Sequence, residues 1–187
     1  LLILGFDANV ILSKILSDNI LDNYRKINLI KLTKGLGCCD WKPIDDFLLN
    51  MTFEKSDEPL TFEDLYNKFG KKLVCTTFNT TTNMVEYLSI DTTPKLLCLS
   101  AIRMSANVPL LFNRYKYNNN YYIDGGIVEN FPIKYDILCK DIESPNIIGI
   151  DLLANLEINK NVDNTITNEL FEEGEDDTSQ YNVSEYI

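Results

Sequence analysis

Asp124 is the residue whose setting most suggests chemistry. It lies in residues 118–133, "NNNYYIDGGIVENFPI", after an apolar run and directly before Gly125 and Gly126. An Asp-Gly pair at the end of a strand is typical of an ordinary tight turn. The same arrangement would also suit a general base, because two glycines leave one face of the carboxylate open to a nucleophile or a substrate. Local spacing fits both interpretations, so other features of the chain must separate them.

Histidine is absent from all 187 residues. A Ser-His-Asp or Cys-His catalytic group within these residues is therefore excluded, and the commonest zinc ligand is missing. The acidic segments also lack the D-x-D-x-D-G loop of a calcium site. Hydrolytic chemistry in this chain would have to use a carboxylate or another group as base, and we expect no metal and no cofactor.

Charge and cysteine content restrict the partners and the compartment. The 17 basic and 28 acidic residues give a net charge of -11, which argues against attraction to nucleic acid or to anionic membranes. Five cysteines without a C-x-x-C pair favour reduced thiols in the cytoplasm. The sequence has neither a signal peptide nor an apolar run long enough to cross a bilayer. We therefore expect a cytoplasmic, non-secreted protein whose contact with lipid surfaces is peripheral and apolar.

The N-terminal third is predicted to be helical. Gly5 ends a first helical segment, and Asp7 and Ser17 are candidate N-caps of the next two helices. Pro43 opens a further short helix. The opening "LLILGF" without Met is typical of the tail of a helix whose beginning lies elsewhere, so we interpret the chain as a fragment.

The central region predicts one well-delimited helix followed by strands. Thr61 and Asp64 stand at capping-box spacing, and Gly70 ends that helix. Residues 73–78 and 84–90 are predicted strands. The remaining predictions are a helix from residue 94 to 106, a hairpin that ends at Asp124, a buried parallel strand at 146–153, and a flexible acidic tail over about the last 17 residues. This alternation indicates an α/β protein.

Around Asp124, a run of residues in fixed order resembles the C-terminal half of the patatin-like phospholipase family. That family has a small-residue helix leading into V-P-x-x-F, a short hairpin, and D-G-G or D-G-A followed by an apolar-x-[ND]-x-P segment. The matching residues are Ala101, Ser105, Ala106, Val108, Pro109, Phe112, Tyr122, Asp124, Gly125, Gly126, Asn130 and Pro132.

Weaker similarity extends upstream to Leu1. Residues 60–89 are similar to a helix, a strand with a T-x-x-N/D-T turn and the next strand of the family. Residues 1–16 resemble the end of its nucleophile helix, a Leu-Gly-aromatic break and the helix after it. The resemblance implies part of a three-layer α/β/α sandwich over residues 1–153, with residues 154–187 as a C-terminal extension.

The resemblance implies an acyl hydrolase that acts on phospholipids or acylglycerols. In the family, the serine of G-x-S-x-G attacks the ester, and the aspartate of the D-G-G motif activates it without histidine, metal or calcium. Carried onto this chain, Asp124 is the catalytic base, and Gly125 and Gly126 complete its motif. The absence of histidine agrees with such a Ser-Asp dyad.

The chain departs from the family pattern at the nucleophile. None of its nine serines has glycine at both the -2 and +2 positions, and the Gly-rich oxyanion loop is missing. Both are expected upstream of Leu1, so this chain alone is predicted to be inactive. The alternative is a truncated, non-catalytic fragment that binds lipid or a protein partner. Lipid headgroup, acyl position and oligomeric state are left open by the sequence.

Two further groups of residues have a structural and a functional interpretation. Arg103 and Arg114 could contact a phosphate headgroup, although arginines beside a core region more often form salt bridges. Trp41, Phe47 and Phe53 could form a lid that touches a membrane, although large aromatic residues more often belong to the core.

Overall fold

The computed structural model describes residues 1–17, 20–24, 31 and 37–132. The described helices are α1 (Ala8–Ser17), α2 (Lys42–Phe53), α3 (Phe62–Phe69) and α4 (Cys98–Ser105), and the strands are β1 (Val74–Asn79), β2 (Met84–Ser89), β3 (Tyr115–Tyr117) and β4 (Asn120–Asp124). Short 3₁₀ segments span Leu2–Leu4, Ile20–Tyr24 and Gly125–Ile127. These elements belong to one compact unit, Leu1–Pro132. The strand predicted at 146–153, the acidic tail and the boundary at 153 lie outside the described residues.

The N-terminal segment confirms two of its three predicted boundaries. Gly5 ends the first 3₁₀ turn with a φ of 81°, a conformation that favours glycine. The Asp7 carboxylate accepts a hydrogen bond from the Asn9 amide at 2.8 Å, at the start of α1. Ser17 stays a predicted N-cap, because the two residues directly after it lie outside the described part of the chain. It is the last residue of α1, and its hydroxyl donates to the Lys14 carbonyl at 3.1 Å, because the last turn of a helix leaves carbonyls unpaired.

Helix α3 has the predicted caps at both ends. The Thr61 hydroxyl accepts from the Asp64 amide, and the Asp64 carboxylate accepts from the Thr61 amide, each at 3.1 Å. Gly70 ends the helix in the left-handed conformation at φ 63°. Phe62 and Leu65 face the core. The sequence thus determined this element locally, through caps that satisfy otherwise unpaired backbone groups.

Helix α4 begins four residues later than predicted. The backbone around Leu96 and Leu97 pairs with the segment before α3: the Phe62 amide donates to the Leu96 carbonyl at 3.1 Å, and the Cys98 amide donates to the Leu60 carbonyl at 2.9 Å. Backbone groups engaged in this bridge cannot join an α-helix at the same time. The prediction of a helix start at residue 94 was therefore wrong, and tertiary pairing is the reason.

The four described strands form one antiparallel sheet in the order β2-β1-β4-β3. Strand β1 pairs with β2 from Val74↔Ser89 to Asn79↔Met84, which confirms the two strands predicted at 73–78 and 84–90. The β3–β4 hairpin turns at Asn118 and Asn119, both with positive φ, as two-residue hairpin loops require. Strand β4 then lies beside β1, and their last registered pair joins Asp124 to Thr77.

Helix α4 packs against β1 and β4, and α2 packs against α4. The main core combines side chains from the helices and the sheet; its buried members include Met51, Phe62, Leu65, Cys75, Leu88, Ala101, Met104 and Tyr122. Helices covering a sheet confirm the predicted α/β class. No helix in the described part of the chain is long and apolar enough to cross a bilayer.

Candidate active site

Asp124 is the last residue of β4 and caps the 3₁₀ turn that follows it. Its Oδ1 accepts a hydrogen bond from the Gly126 amide at 2.8 Å. Among the residues that the structure describes, Oδ2 has no hydrogen-bond partner, and the residue is partly exposed. One oxygen therefore fixes the orientation of the carboxylate, and the other is available to a hydroxyl group.

Gly125 is required by the close approach of two backbones. It is buried, and a Cβ at this position would lie 2.5 Å from the Thr76 carbonyl oxygen and 2.8 Å from the Thr77 amide nitrogen. Real side chains do not tolerate such distances to backbone atoms. The first glycine of the motif thus lets the chain after β4 pass directly against β1, which is a structural role.

Gly126 lies directly beside the Asp124 carboxylate. A Cβ there would lie 3.1 Å from the Oδ1 of Asp124 and 3.2 Å from the Oδ1 of Asn130. Neither Gly125 nor Gly126 has a positive φ, so a left-handed turn does not explain the pair. A side chain at the second glycine would instead crowd the carboxylate oxygen that the Gly126 amide binds.

Asn107 holds Asp124 in position, and no pattern in the sequence singled it out. Its backbone carbonyl accepts from the Asp124 amide at 3.0 Å, and its side-chain Nδ2 donates to the Tyr122 carbonyl at 2.7 Å. The side chain is 1% exposed, and its Oδ1 is buried without a partner in the described chain. In so Asn-rich a chain, spacing alone could not have distinguished this asparagine from its many solvated counterparts.

Thr77 joins three elements beneath the same strand end. Its fully buried hydroxyl lies 2.9 Å from the Ile123 carbonyl of β4 and 3.2 Å from the Met104 carbonyl of α4. A hydroxyl has a single proton, so the two carbonyls share one donor. The residue adjacent to Asp124 on β4 is therefore tied to both β1 and α4.

The segment after the motif is held from the opposite side. The Glu129 amide donates to the Gly125 carbonyl at 2.8 Å, and the Glu129 carboxylate accepts from the Tyr87 hydroxyl of β2. Together with the contacts of Asn107 and Thr77, these bonds attach the D-G-G turn to β1, β2, β4 and the loop after α4. Such over-determination is the preorganisation that a positioned carboxylate needs.

Arg103 occupies an aromatic cage. Its guanidinium carbon lies 4.5 Å from the ring centre of Trp41, 5.1 Å from Phe112 and 5.7 Å from Tyr115, and its Nη2 donates to the Asn113 carbonyl at 3.2 Å. Burial lowers the pKa of this guanidinium. These contacts fit neither the salt bridge nor the phosphate contact that the sequence suggested for Arg103. Its guanidinium binds aromatic rings and a backbone carbonyl instead of a carboxylate. Its Nη1 is buried and therefore not accessible to a phosphate.

The other residues singled out by sequence are distributed over the surface and the core. Arg114 is exposed on the loop before β3. Trp41 and Phe47 are buried, as the core interpretation expects, whereas Phe53 is exposed at the end of α2. Among the described residues, no group of three or more histidine, cysteine, aspartate or glutamate side chains could hold a metal ion.

Comparison with known proteins shows which family this chain is similar to. The family model of the patatin-like phospholipases matches residues 7–137. A protein of Invertebrate iridescent virus 6, named "Probable lipid hydrolase 463L", is 36% identical over 118 residues, which are 60% of this chain and 41% of the viral protein. The chain therefore spans less than half the length of this relative. No solved structure matches.

Proposed function

We propose that this chain, which belongs to the patatin-like phospholipase family, supplies the catalytic base of a lipid acyl hydrolase. The observation that carries the proposal is the setting of Asp124, whose Oδ1 is fixed by the Gly126 amide and whose Oδ2 has no partner among the described residues. The substrates are acyl esters of phospholipids or acylglycerols. The helices and the antiparallel sheet represent part of the α/β fold of the family.

The proposed reaction proceeds through an acyl-enzyme. Oδ2 of Asp124 accepts the proton of a serine hydroxyl while the serine oxygen bonds to the ester carbonyl carbon. Collapse of the tetrahedral intermediate breaks the ester bond, and the proton passes from the carboxyl group to the departing alcohol. Water then repeats the sequence on the acyl-serine and releases the fatty acid. Asp124 is proposed to act directly on the serine, which agrees with the absence of histidine from these 187 residues.

The nucleophile of this dyad is proposed to lie outside the 187 residues. No serine in the chain has the G-x-S-x-G context, and the relative named above is more than twice as long as the aligned segment. The loss of an oxyanion donor alone costs about two to three orders of magnitude in rate. We therefore expect no measurable ester hydrolysis from this chain by itself, and activity once the segment with G-x-S-x-G is joined to it.

The test uses the joined protein and fatty-acid release from phosphatidylcholine micelles. Asp124→Asn removes the base while conserving the shape of the side chain, so release should fall at least about a thousandfold. Asp91→Asn is the matched control, since Asp91 is an exposed carboxylate paired only loosely with Lys72 at 3.6 Å. Activity that survives Asp124→Asn would refute the assignment of the base.

The alternative function is a non-catalytic lipid-binding or protein-binding module. It is favoured by the missing nucleophile and by exposed apolar side chains on α1, namely Val10, Leu12 and Leu16. This alternative predicts self-association of the chain, and no hydrolysis even after the upstream segment is joined. Sedimentation velocity and the same fatty-acid assay separate it from the hydrolase.

We also propose that the protein acts in the cytoplasm, peripherally at lipid surfaces. Support comes from Cys38, Cys39, Cys75 and Cys98, which are free thiols in the described chain. Fractionation of cells that produce the protein checks this location, and recovery of the protein from the medium would contradict it.

A further inference from the structure

Exposed apolar side chains occur in the two chain segments that follow Asn107 and Asp124. We call this set the apolar rim; its members are Val108, Leu110, Ile127, Val128 and Phe131. The first two follow Asn107, and the others follow Asp124 within seven residues. Because the Asn107 carbonyl binds the Asp124 amide at 3.0 Å, the two segments of the rim start from one hydrogen bond.

Leu110 gives the clearest sign that this exposure serves a purpose. Its φ is 67°, a conformation that costs a leucine free energy, and its side chain is 61% exposed. The loop is held in place from behind, since the Cys38 amide donates to the Leu110 carbonyl at 2.9 Å and the Cys39 amide to the Leu111 carbonyl at 2.8 Å. The fold therefore holds Leu110 in a strained backbone conformation in which its apolar side chain is exposed to solvent.

A close approach of backbones rigidifies the same loop. A Cβ on Gly37 would lie 2.1 Å from the Phe112 carbonyl carbon, and the Gly37 amide donates to the Asn113 side chain at 2.8 Å. The residues on both sides of Leu111 are thus pinned to the 37–39 segment. Leu110 is consequently presented on a fixed support, which limits the entropy that docking would cost.

The charge of the rim restricts what can dock on it. Residues 106–112 and 125–128 contain no ionisable side chain, whereas the chain as a whole carries a net charge of -11. An apolar patch on an acidic protein suits a surface without net charge, and an anionic surface repels the protein. Asp124 and Glu129, the ionisable residues of the 124–131 segment, are both acidic, and the Glu129 carboxylate accepts from the Tyr87 hydroxyl.

We propose that the apolar rim is the docking surface by which this protein enters a zwitterionic lipid surface. Both segments of the rim start at the hydrogen bond between Asn107 and Asp124, so insertion of the rim side chains would bring the ester bonds of lipids towards Asp124. This inference rests on the proposed function for its choice of a lipid partner. It adds to that function the residues that make contact and the preference for zwitterionic over anionic lipid.

The test is flotation of the 187-residue chain with phosphatidylcholine vesicles. Leu110→Asn is the informative variant, because asparagine tolerates positive φ and so retains the fold while removing the apolar side chain. We expect its vesicle affinity to fall about tenfold, the effect of keeping one large apolar side chain out of water. Its thermal stability should equal or exceed that of the parent chain.

The matched control is Leu16→Asn, which removes an equally exposed leucine (62%) from α1. Its vesicle affinity should equal that of the parent chain, and phosphatidylserine in the vesicles should weaken binding by all variants. The proposal is overturned if Leu110→Asn binds like the parent, if Leu16→Asn is equally impaired, or if phosphatidylserine strengthens binding. It is also overturned if the chain ignores vesicles and instead forms a dimer that Leu110→Asn dissociates.

Flotation requires no nucleophile, so its outcome is separate from that of the hydrolase assay. Vesicle binding that depends on Leu110, together with full activity of Asp124→Asn in the joined protein, would refute the assigned base and leave the docking surface standing. Loss of activity in Asp124→Asn without any vesicle binding by the parent chain would refute the docking surface and support the assigned base.

Discussion

The Asp124 amide donates to the Asn107 carbonyl across 3.0 Å, while the Asn107 side chain donates to the Tyr122 carbonyl across 2.7 Å. One buried residue thus grips the end of β4 at two points, on either side of Ile123. The loop after α4 and the end of β4 that carries the carboxylate are consequently joined by two hydrogen bonds. Movement of that loop would move Asp124 as well.

Replacing Asn107 should therefore destabilise the chain and release the end of β4. In Asn107→Leu the Tyr122 carbonyl loses its side-chain donor in a buried setting, which costs about 1–3 kcal/mol of the free energy of unfolding. Urea denaturation measures the loss. Asn67→Leu, on the exposed side of α3, is the control and should change this free energy by less than about 0.5 kcal/mol. Equal effects of the two variants would mean that the hydrogen bond contributes nothing.

The two glycines of the motif should respond differently to alanine. In Gly125→Ala the new methyl meets the Thr76 carbonyl oxygen at 2.5 Å, so β1 and β4 must separate, at a cost of about 1–3 kcal/mol or more. In Gly126→Ala the nearest atoms are side-chain oxygens of Asp124 and Asn130 at 3.1 and 3.2 Å, so small shifts of these side chains relieve the contact. Thermal unfolding of the pair checks this order, and a larger loss for Gly126→Ala would contradict it.

The parts of the structure that the sequence predicted are those decided by local chemistry. The capping box at Thr61, the stop at Gly70 and the hairpin that ends at Asp124 each depend on residues close in sequence, and all three were confirmed. The start of α4 was misplaced because the Leu96–Leu97 backbone pairs with a segment more than thirty residues away. No local pattern contains such information.

The same distinction holds for the site. Asp124 was selected through the family pattern of its neighbours, and the geometry explains why its glycines are needed. The residues that hold it were missed, because their role exists only across the fold. Thr77 lies 47 positions before Asp124, and a buried threonine in a strand has the same local sequence signature as any other.

Acid should remove the contribution of the capping box to stability. Hydrogen bonds from the Thr61 hydroxyl and amide lower the pKa of Asp64 in the folded protein. A lowered folded-state pKa means that the stabilisation is complete above the unfolded pKa, about 4, and is lost as the pH falls through the folded value. The difference in free energy of unfolding between the parent chain and Asp64→Asn should thus be constant near pH 7 and shrink below pH 4. Urea titrations at several pH values would contradict this if the difference stayed constant down to pH 2.

The buried thiols Cys75 and Cys98 should make the folded protein less stable at high pH. Burial raises the pKa of Cys75 to about 12 and that of Cys98 to about 11, whereas an unfolded thiol titrates near 9. The folded state therefore binds these protons more tightly, so their contribution is complete below pH 9 and is lost as the pH rises towards 11 and 12. Cys75→Ala should remove part of this loss of stability at alkaline pH, although it costs stability at pH 7 through the lost packing.

Because the thiolate is the reactive species, iodoacetamide at pH 8.5 should modify both cysteines only as fast as the chain unfolds. Mass spectrometry of the modified peptides measures these rates, and rapid labelling of Cys75 under native conditions would contradict its place in the core.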